Sequence, residues 1–293
     1  MKLLEVDGKQ NSQNNKQLKD NQRTPERIRF HYEVEKELAG KLRAADRKER
    51  MHLYSSVYNE LFTRVTDHPQ IVQKASLEAQ QQAVNWQIKL LKPLLSNKKT
   101  FMEIGSGDCS LSFAATKYAK YVYAVDVSEE IARNAATPKN FNLVISDGIS
   151  IPVQENSIDV CYSNQLMEHL HPDDAFDQLK NIYTALSEGG KYLCITPNKL
   201  AGPHDVSKYF DREATGFHLK EYTIVELNRL FKKAGFSSTK AMLSFKNNIW
   251  TIPVEAVGFM ERALSIFPYK IRRKLALNPI INRFLGIYIV GCK

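Results

Sequence analysis

The apolar positions of the chain change period near residue 98. Before that point they recur at helical spacing. Ile28, Tyr32, Val34, Leu38 and Leu42 mark one helix, which Thr24 caps and Pro25 starts. Met51, Leu53, Tyr54, Val57, Tyr58, Leu61 and Phe62 mark a second over residues 47–65, and the His68-Pro69 pair breaks it. A third is expected over residues 70–95. After residue 98 the apolar runs shorten to strand length and alternate with helix-compatible segments. Strands are expected at 101–104, 121–125, 142–146, 157–163 and 191–196, then after Ala234-Gly235-Phe236, and finally at 286–292. Thr223 with Glu226 forms a capping box ahead of a helix at 224–233, and Asp173 is expected to cap the helix at 175–186. Strands joined by helices predict an α/β fold: a parallel sheet with helices on both faces.

The turn after the first strand reads Glu103-Ile-Gly105-Ser106-Gly107, and a helix-compatible segment follows over 111–118. Two glycines let the backbone turn tightly and let a ligand lie against it. The second strand ends in Asp126, where an acid grips a ribose hydroxyl pair in nucleotide-type crevices. The dinucleotide fingerprint wants a third glycine where this chain has Ser110, and no Tyr-x-x-x-Lys pair is present. Both points count against a nicotinamide cofactor. A strand-to-helix turn of an ordinary α/β domain is the bland alternative, and the remaining motifs decide between them.

Those motifs are Asp126; Ser146-Asp147-Gly148 after the third strand; Ser157-Ile-Asp-Val-Cys-Tyr-Ser followed by Asn164-Gln-Leu-Met-Glu168-His169-Leu; Leu186-Ser-Glu-Gly-Gly190 before the fifth strand; and His218-x-x-Glu-Tyr-Thr223 before a helix ending in Ala-Gly-Phe. Together they resemble the class I S-adenosylmethionine-dependent methyltransferases, small-molecule branch. The resemblance covers about residues 98–245 and the last strand. It implies a Rossmann-like, doubly wound sheet of seven mostly parallel strands, the last inserted antiparallel between strands five and six. It also implies an S-adenosyl-L-methionine cofactor held by Glu103, Gly105, Ser106, Gly107, Asp126, Val127, Asp147, Gly148, Asn164 and Gln165. Asp147 matches the acid that contacts the adenine amino group, although Asp-Gly also favours a local Asx-turn. An NAD-linked oxidoreductase and a non-catalytic cofactor-binding module are the alternatives.

Methyl transfer from a sulfonium is an in-line displacement that needs alignment and exclusion of water. A base is required only if the acceptor must lose a proton. His218, in the loop after the fifth strand, is the first candidate, followed by His169 and His204. Each is also compatible with a purely structural hydrogen-bonding role. Glu168 is expected to orient a neighbour. The acceptor is expected to be a small molecule or a lipid- or sugar-linked precursor, methylated on oxygen or carbon.

Composition adds three things. Residues 1–23 are rich in Asn, Gln, Lys and Asp, which suits a mobile tail ahead of a helical extension at 24–97 that covers the crevice as a lid or merely packs on the sheet. Four scattered cysteines without a C-x-x-C are expected to be reduced thiols, and no metal site is expected. The net charge is +9, and residues 240–293 carry nine bases against two acids, nine minus two or +7. The methyltransferase unit, residues 98–293, therefore holds a basic helical insertion at 247–284, with helices at 254–266 and 269–276. This insertion is a solvated face, a contact for an anionic membrane, or a phosphate site on the acceptor. No nucleic-acid-binding motif accompanies the charge. No secretory leader or membrane span is visible, so a cytoplasmic location with peripheral membrane contact is expected.

Overall fold

The computed structural model describes residues 23–69, 77–128, 137–245 and 248–293. The expected N-terminal tail and the start of the third helix lie outside the described residues.

Two helices open the described chain, α1 (Pro25–Ala44) and α2 (Arg47–Arg64). Thr24 Oγ1 caps α1, and Asp46 with Glu49 forms a capping box on α2. Helix α3 (Leu77–Leu91) leads into β1 (Thr100–Ile104). There follow α4 (Ser110–Ala115), β2 (Tyr121–Asp126), β3 (Phe141–Ile145), β4 (Ile158–Asn164), α5 (Pro172–Ala185), β5 (Leu186–Thr196), α6 (Ile224–Ala234) and β6 (Ser238–Phe245). Strand β7 (Asn248–Pro253), helices α7 (Val254–Ser265), α8 (Tyr269–Ala276) and α9 (Pro279–Leu285), and β8 (Ile287–Cys292) complete the chain.

The strands form one sheet in the order β3-β2-β1-β4-β5-β8-β6-β7. β1 to β5 are mutually parallel, and β8 runs antiparallel between β5 and β6. The seven expected strands are thus joined by an eighth. β7 folds back on β6 as an antiparallel edge, so the 247–284 insertion begins as a strand and carries three helices rather than two. The chain winds outward from β1 to β3, then restarts beside β1 with β4. That reversal opens a crevice at the carboxyl ends of β1, β2 and β4.

Two local expectations change. Helix α4 spans only Ser110–Ala115. Helix α5 is capped by His171, whose ring accepts from the Asp173 N–H, because Pro172 already occupies the first helical position.

The N-terminal helices belong to the same packed interior as the sheet. Val34, Leu38 and Leu42 of α1 and Tyr54, Val57 and Leu61 of α2 join Met102, Ile104, Cys161 and Tyr192 in one apolar cluster. Leu90 and Leu91 of α3 pack on the opposite face with Phe101, Leu111 and Val122. A buried ionic contact fixes α2 to the sheet-bearing part of the chain. Asp174, fully buried at the start of α5, accepts from Arg50 Nε and Nη2, the latter at 2.8 Å, and from Tyr54 Oη at 2.7 Å. Tyr54 Oη in turn accepts the His171 N–H at 3.0 Å.

Removing one member of such a pair strands the other charge in the interior, at a cost of about 3–5 kcal/mol. Asp174→Ala is therefore expected to lower the urea midpoint sharply. The paired change Arg50→Met with Asp174→Leu should recover much of the loss. Equal loss in the single and double variants would contradict the assignment.

Candidate active site

The glycine turn sits at the carboxyl end of β1. Gly105 and Ser106 both donate backbone N–H groups to the Val125 carbonyl, which ties the turn to β2. Gly107 has φ +51°, and a Cβ built on it would meet nothing within 4 Å. The left-handed backbone and the open space beside it form a cradle in which a ligand can touch main chain directly. The Asp126 carboxylate closes that turn, accepting the Gly107 N–H at 2.8 Å on one oxygen and the Ser128 N–H at 3.2 Å on the other. Val127 is half-buried against the core.

Glu103 turns inward. It is buried and accepts Ser112 Oγ at 2.6 Å, so its carboxyl holds α4 against β1. Burial, with the charges of Asp108 and Asp126 nearby, pushes its pKa up to about 8. The amino end of α4 is covered from within: Asp108 accepts the Ser110 N–H at 3.0 Å, and Gln80 of α3 donates to Asp108 and to Ser110 Oγ.

Asp147 occupies an Asx-turn. One oxygen accepts the N–H groups of Ile149 and Ser150 at 2.8 and 2.6 Å, and the other accepts Ser150 Oγ. Burial opposes its charge, but those donors hold its carboxyl below the usual range. Gly148 faces the ring of Tyr54. Asn164 ends β4 half-buried, and Gln165 follows exposed with φ +54°, its N–H donated to the Ile195 carbonyl. Glycine turn, Asp126, Asp147 and the Asn164-Gln165 pair all stand at the carboxyl ends of parallel strands, along one edge of the sheet.

A cavity of about 510 Å³ borders that edge. Its walls include His31 and Glu35 of α1, Tyr58 and Leu61 of α2, His68, His169 and the segment from His204 to His218. Five of the seven histidines therefore line one space. A second depression, lined by Lys89, Lys92, Tyr118 and Trp250 among others, lies near the amino ends of β1 and β2 and contains no acid or histidine.

Two of the three histidines singled out by sequence, His204 and His218, meet here through one carboxylate. Glu221 accepts from His218 Nδ1 at 2.7 Å and from the His204 N–H at 2.7 Å, and His204 Nδ1 lies 3.3 Å from its other oxygen. Gly202 makes room for it: a Cβ there would collide with the Glu221 carboxylate. Burial opposes ionisation of Glu221, but the two imidazoles pull its pKa down to about 2. Burial likewise opposes the charge on His218, yet Glu221, Glu168 and Asp205 outweigh it and raise its pKa to about 9. His169 is the opposite case. Its Nδ1 donates to the Phe217 carbonyl at 3.0 Å, and burial, then the neighbouring His218, depress its pKa to about 3. The His169 and His218 rings meet edge to face, centroids 4.9 Å apart. Glu168 is fully buried and accepts Thr196 Oγ1 at 2.8 Å.

Sequence reasoning missed Glu221, Asp205 and the His31–Glu35–His68 cluster. Two of them had a signal: Glu221 stands three residues after His218, and Glu35 stands one helical turn after His31. His68 and Asp205 had none, since only the fold brings them to the cavity.

A family model described as a methyltransferase domain matches residues 102–194, from within β1 to within β5. Residues 102–194 thus match a methyltransferase domain, in line with the resemblance to the class I S-adenosylmethionine-dependent methyltransferases. No curated protein matches it. Similar solved structures include a chain of the complex between the Haloferax volcanii Trm112 methyltransferase activator and a methyltransferase. It has 16% identity over 71% of this chain and 88% of that chain, TM-score 0.49. An Archaeoglobus fulgidus SAM-dependent methyltransferase has 18% identity over 72% and 94%, TM-score 0.48. A Thermotoga maritima SAM-dependent methyltransferase has 17% identity over 84% and 98%, TM-score 0.47. The enzyme's cofactor is S-adenosyl-L-methionine, and the open cradle at Gly107 fits it.

The high pKa of Glu103 makes stability fall as pH rises. Below pH 4.5 the group is neutral in both states. Between 4.5 and about 8 the unfolded chain releases the proton while the folded chain keeps it, which favours unfolding. Glu103→Gln removes that term. The unfolding free energy of the variant minus that of the wild type should therefore grow by a few kcal/mol across this window. A difference flat with pH would refute it.

Proposed function

We propose that the enzyme methylates an oxygen of a small molecule, or of the head group of a lipid- or sugar-linked precursor, seated in the histidine-lined cavity. The carrying observation is the pairing of His169 and His218 beside the carboxyl ends of β4 and β5. Both rings spend Nδ1 on a fixed partner, leaving both Nε2 atoms without a hydrogen bond among the described residues. An acceptor hydroxyl must lose its proton as it attacks, and an oxygen poised at those nitrogens has polar partners for that. About 510 Å³ suits a ligand of small-molecule size.

Bound S-adenosyl-L-methionine supplies a methyl group on a positively charged sulfur. The chain's residues supply position and shelter. Gly105, Ser106, Gly107, Asp126 and Val127 form one side of the cofactor's seat, Asp147 and Gly148 a second, Asn164 and Gln165 the third. Tyr58 stacks on Phe217, ring centroids 4.9 Å apart, and the two rings shield the acceptor's seat from water. Glu221 orients His218 and His204 from behind. The N-terminal helices act as the fixed wall of the acceptor cavity, with the 24–97 extension and the 98–293 unit working as one body.

Labelled methyl donor incubated with fractionated cell extract should place label in a low-mass fraction. S-adenosylhomocysteine should raise Tm in the wild type, and Asp126→Ala should abolish that rise. Label confined to nucleic acid or protein would overturn the acceptor class.

A further inference from the structure

We propose that Glu168, His169 and His218 hold a divalent transition-metal cation at the acceptor cavity. The inference rests on the cavity being the acceptor site, and adds how an acceptor oxygen is gripped and ionised there.

One possible ligand atom from each of the three residues lies within 4.8 Å of the others. What stands behind each ligand is more telling. His169 Nδ1 faces a carbonyl oxygen, which can only accept, so Nδ1 carries the hydrogen and Nε2 carries the lone pair. His218 Nδ1 donates to the Glu221 carboxylate, which leaves Nε2 as the nitrogen that a cation would take, displacing its proton. Glu168 Oε2 accepts Thr196 Oγ1, while Oε1 is buried without a hydrogen-bond partner. A metal-binding histidine usually gives its second nitrogen to a carbonyl or carboxylate, and a ligating carboxylate is itself hydrogen-bonded. All three supports are in place, and a buried carboxylate oxygen without a partner is otherwise costly.

The surroundings attract positive charge. Glu221 and Asp205 both act on His218 from outside the ligand set. Two imidazoles and one carboxylate suit Zn²⁺ or Mn²⁺ better than Mg²⁺ or Ca²⁺, which prefer oxygen. Three protein ligands leave positions for the acceptor. With the acceptor oxygen bound to the cation, its hydroxyl proton passes to solvent water. The oxygen–carbon bond then forms as the carbon–sulfur bond breaks, and sulfur keeps the electron pair.

His31, Glu35 and His68 also lie within 4.8 Å of one another. There Arg23 donates to His31 Nδ1 at 2.9 Å, so His31 Nε2 carries the hydrogen that Glu35 accepts at 2.7 Å. That cluster is already hydrogen-bonded with a cation beside it, and serves as the control.

The test uses metal-stripped full-length protein. Zn²⁺ titrated by calorimetry should bind once per chain, and Co²⁺ should give visible d–d absorption in the wild type. Glu168→Gln and His218→Asn should each weaken Zn²⁺ by about 100-fold, and Glu221→Gln by about 10–100-fold although it touches no metal. His68→Ala should leave Zn²⁺ affinity unchanged. The Tm rise with S-adenosylhomocysteine certifies that each variant is folded. No Zn²⁺ binding by protein that binds S-adenosylhomocysteine would overturn the proposal, as would binding lost in His68→Ala but kept in Glu168→Gln. Metal binding without any methyl transfer would instead overturn the acceptor reading alone.

A separate observation carries a second inference. Phe259, Ile266, Phe267, Ile271, Ile280 and Phe284 are all exposed, Ile266 to 83%, and all come from the 254–285 stretch. Helices α7, α8 and α9 are held together beneath them by Leu264, Ala276 and Leu285. The same stretch carries six bases against Glu255 and Glu261, six minus two or +4, and Glu261 is buried. The geometry points to this layer as a docking face for an anionic lipid bilayer: the apolar tips enter the headgroup boundary and the bases meet lipid phosphates. Among the described residues no helix is long and apolar enough to cross a membrane, so the contact is peripheral.

Full-length protein should sediment with phosphatidylcholine vesicles containing phosphatidylserine and not with phosphatidylcholine alone, and added salt should release it. Ile266→Ser with Phe259→Ser, and separately Lys270→Glu with Lys274→Glu, should each cut binding about tenfold. Equal binding to neutral vesicles, no binding to either, or a dimer that buries these residues would overturn it.

Discussion

Arg50 and Asp174 meet out of water and pin the N-terminal helices beside the histidine-lined cavity. Arg50 belongs to the N-terminal helices; Asp174 opens the helix that follows the β4 turn. A charged pair at that depth is strongly constrained, since each partner has no alternative solvent. Tyr54 extends the contact to the His171 backbone, two residues beyond His169. Helices α1 and α2 are thereby fixed against the segment that carries the chemistry. The wall they provide, from His31 to Leu61, is as much a part of the cavity as the loop from His204 to His218.

Glu35, Glu168, Asp205 and Glu221 are all buried. Glu35, Asp205 and Glu221 each accept an imidazole nitrogen or a backbone N–H, whereas Glu168 accepts the Thr196 hydroxyl. Glu35 does both, serving His31 and the Phe217 amide, and these donors outweigh burial to hold its pKa well below the usual range. The result is a preorganised polar floor under an aromatic roof of Tyr58 and Phe217, the combination expected where charge must be handled away from bulk water.

The two halves of the molecule face different partners. The carboxyl edge of the sheet carries the open glycine turn and, beside it, the histidine-lined cavity. The three helices between β7 and β8 turn apolar side chains outward among bases. They lie beside Leu200 and Ala201, at the start of the loop that ends at His218. Docking that layer on a surface and filling the cavity therefore involve one continuous stretch of chain.

The sequence by itself determined the sheet and the cofactor edge. Strand-length apolar runs, the Gly105–Gly107 turn, Asp126 and the Glu168-His169 pair are local patterns, and local patterns survive without knowledge of what packs beside them. β7 escaped because its run, Ile249 to Ile252 between asparagines and Pro253, is too short to separate strand from loop. Only the tertiary structure decided what each histidine does. Burial opposes the charge on His218, but the bond to Glu221 outweighs it, helped by Glu168 and Asp205, fifty and thirteen residues away in the chain, and His169 loses its own through burial beside Tyr58. Electrostatic environment depends on distance in space, and neither composition nor spacing along the chain encodes it.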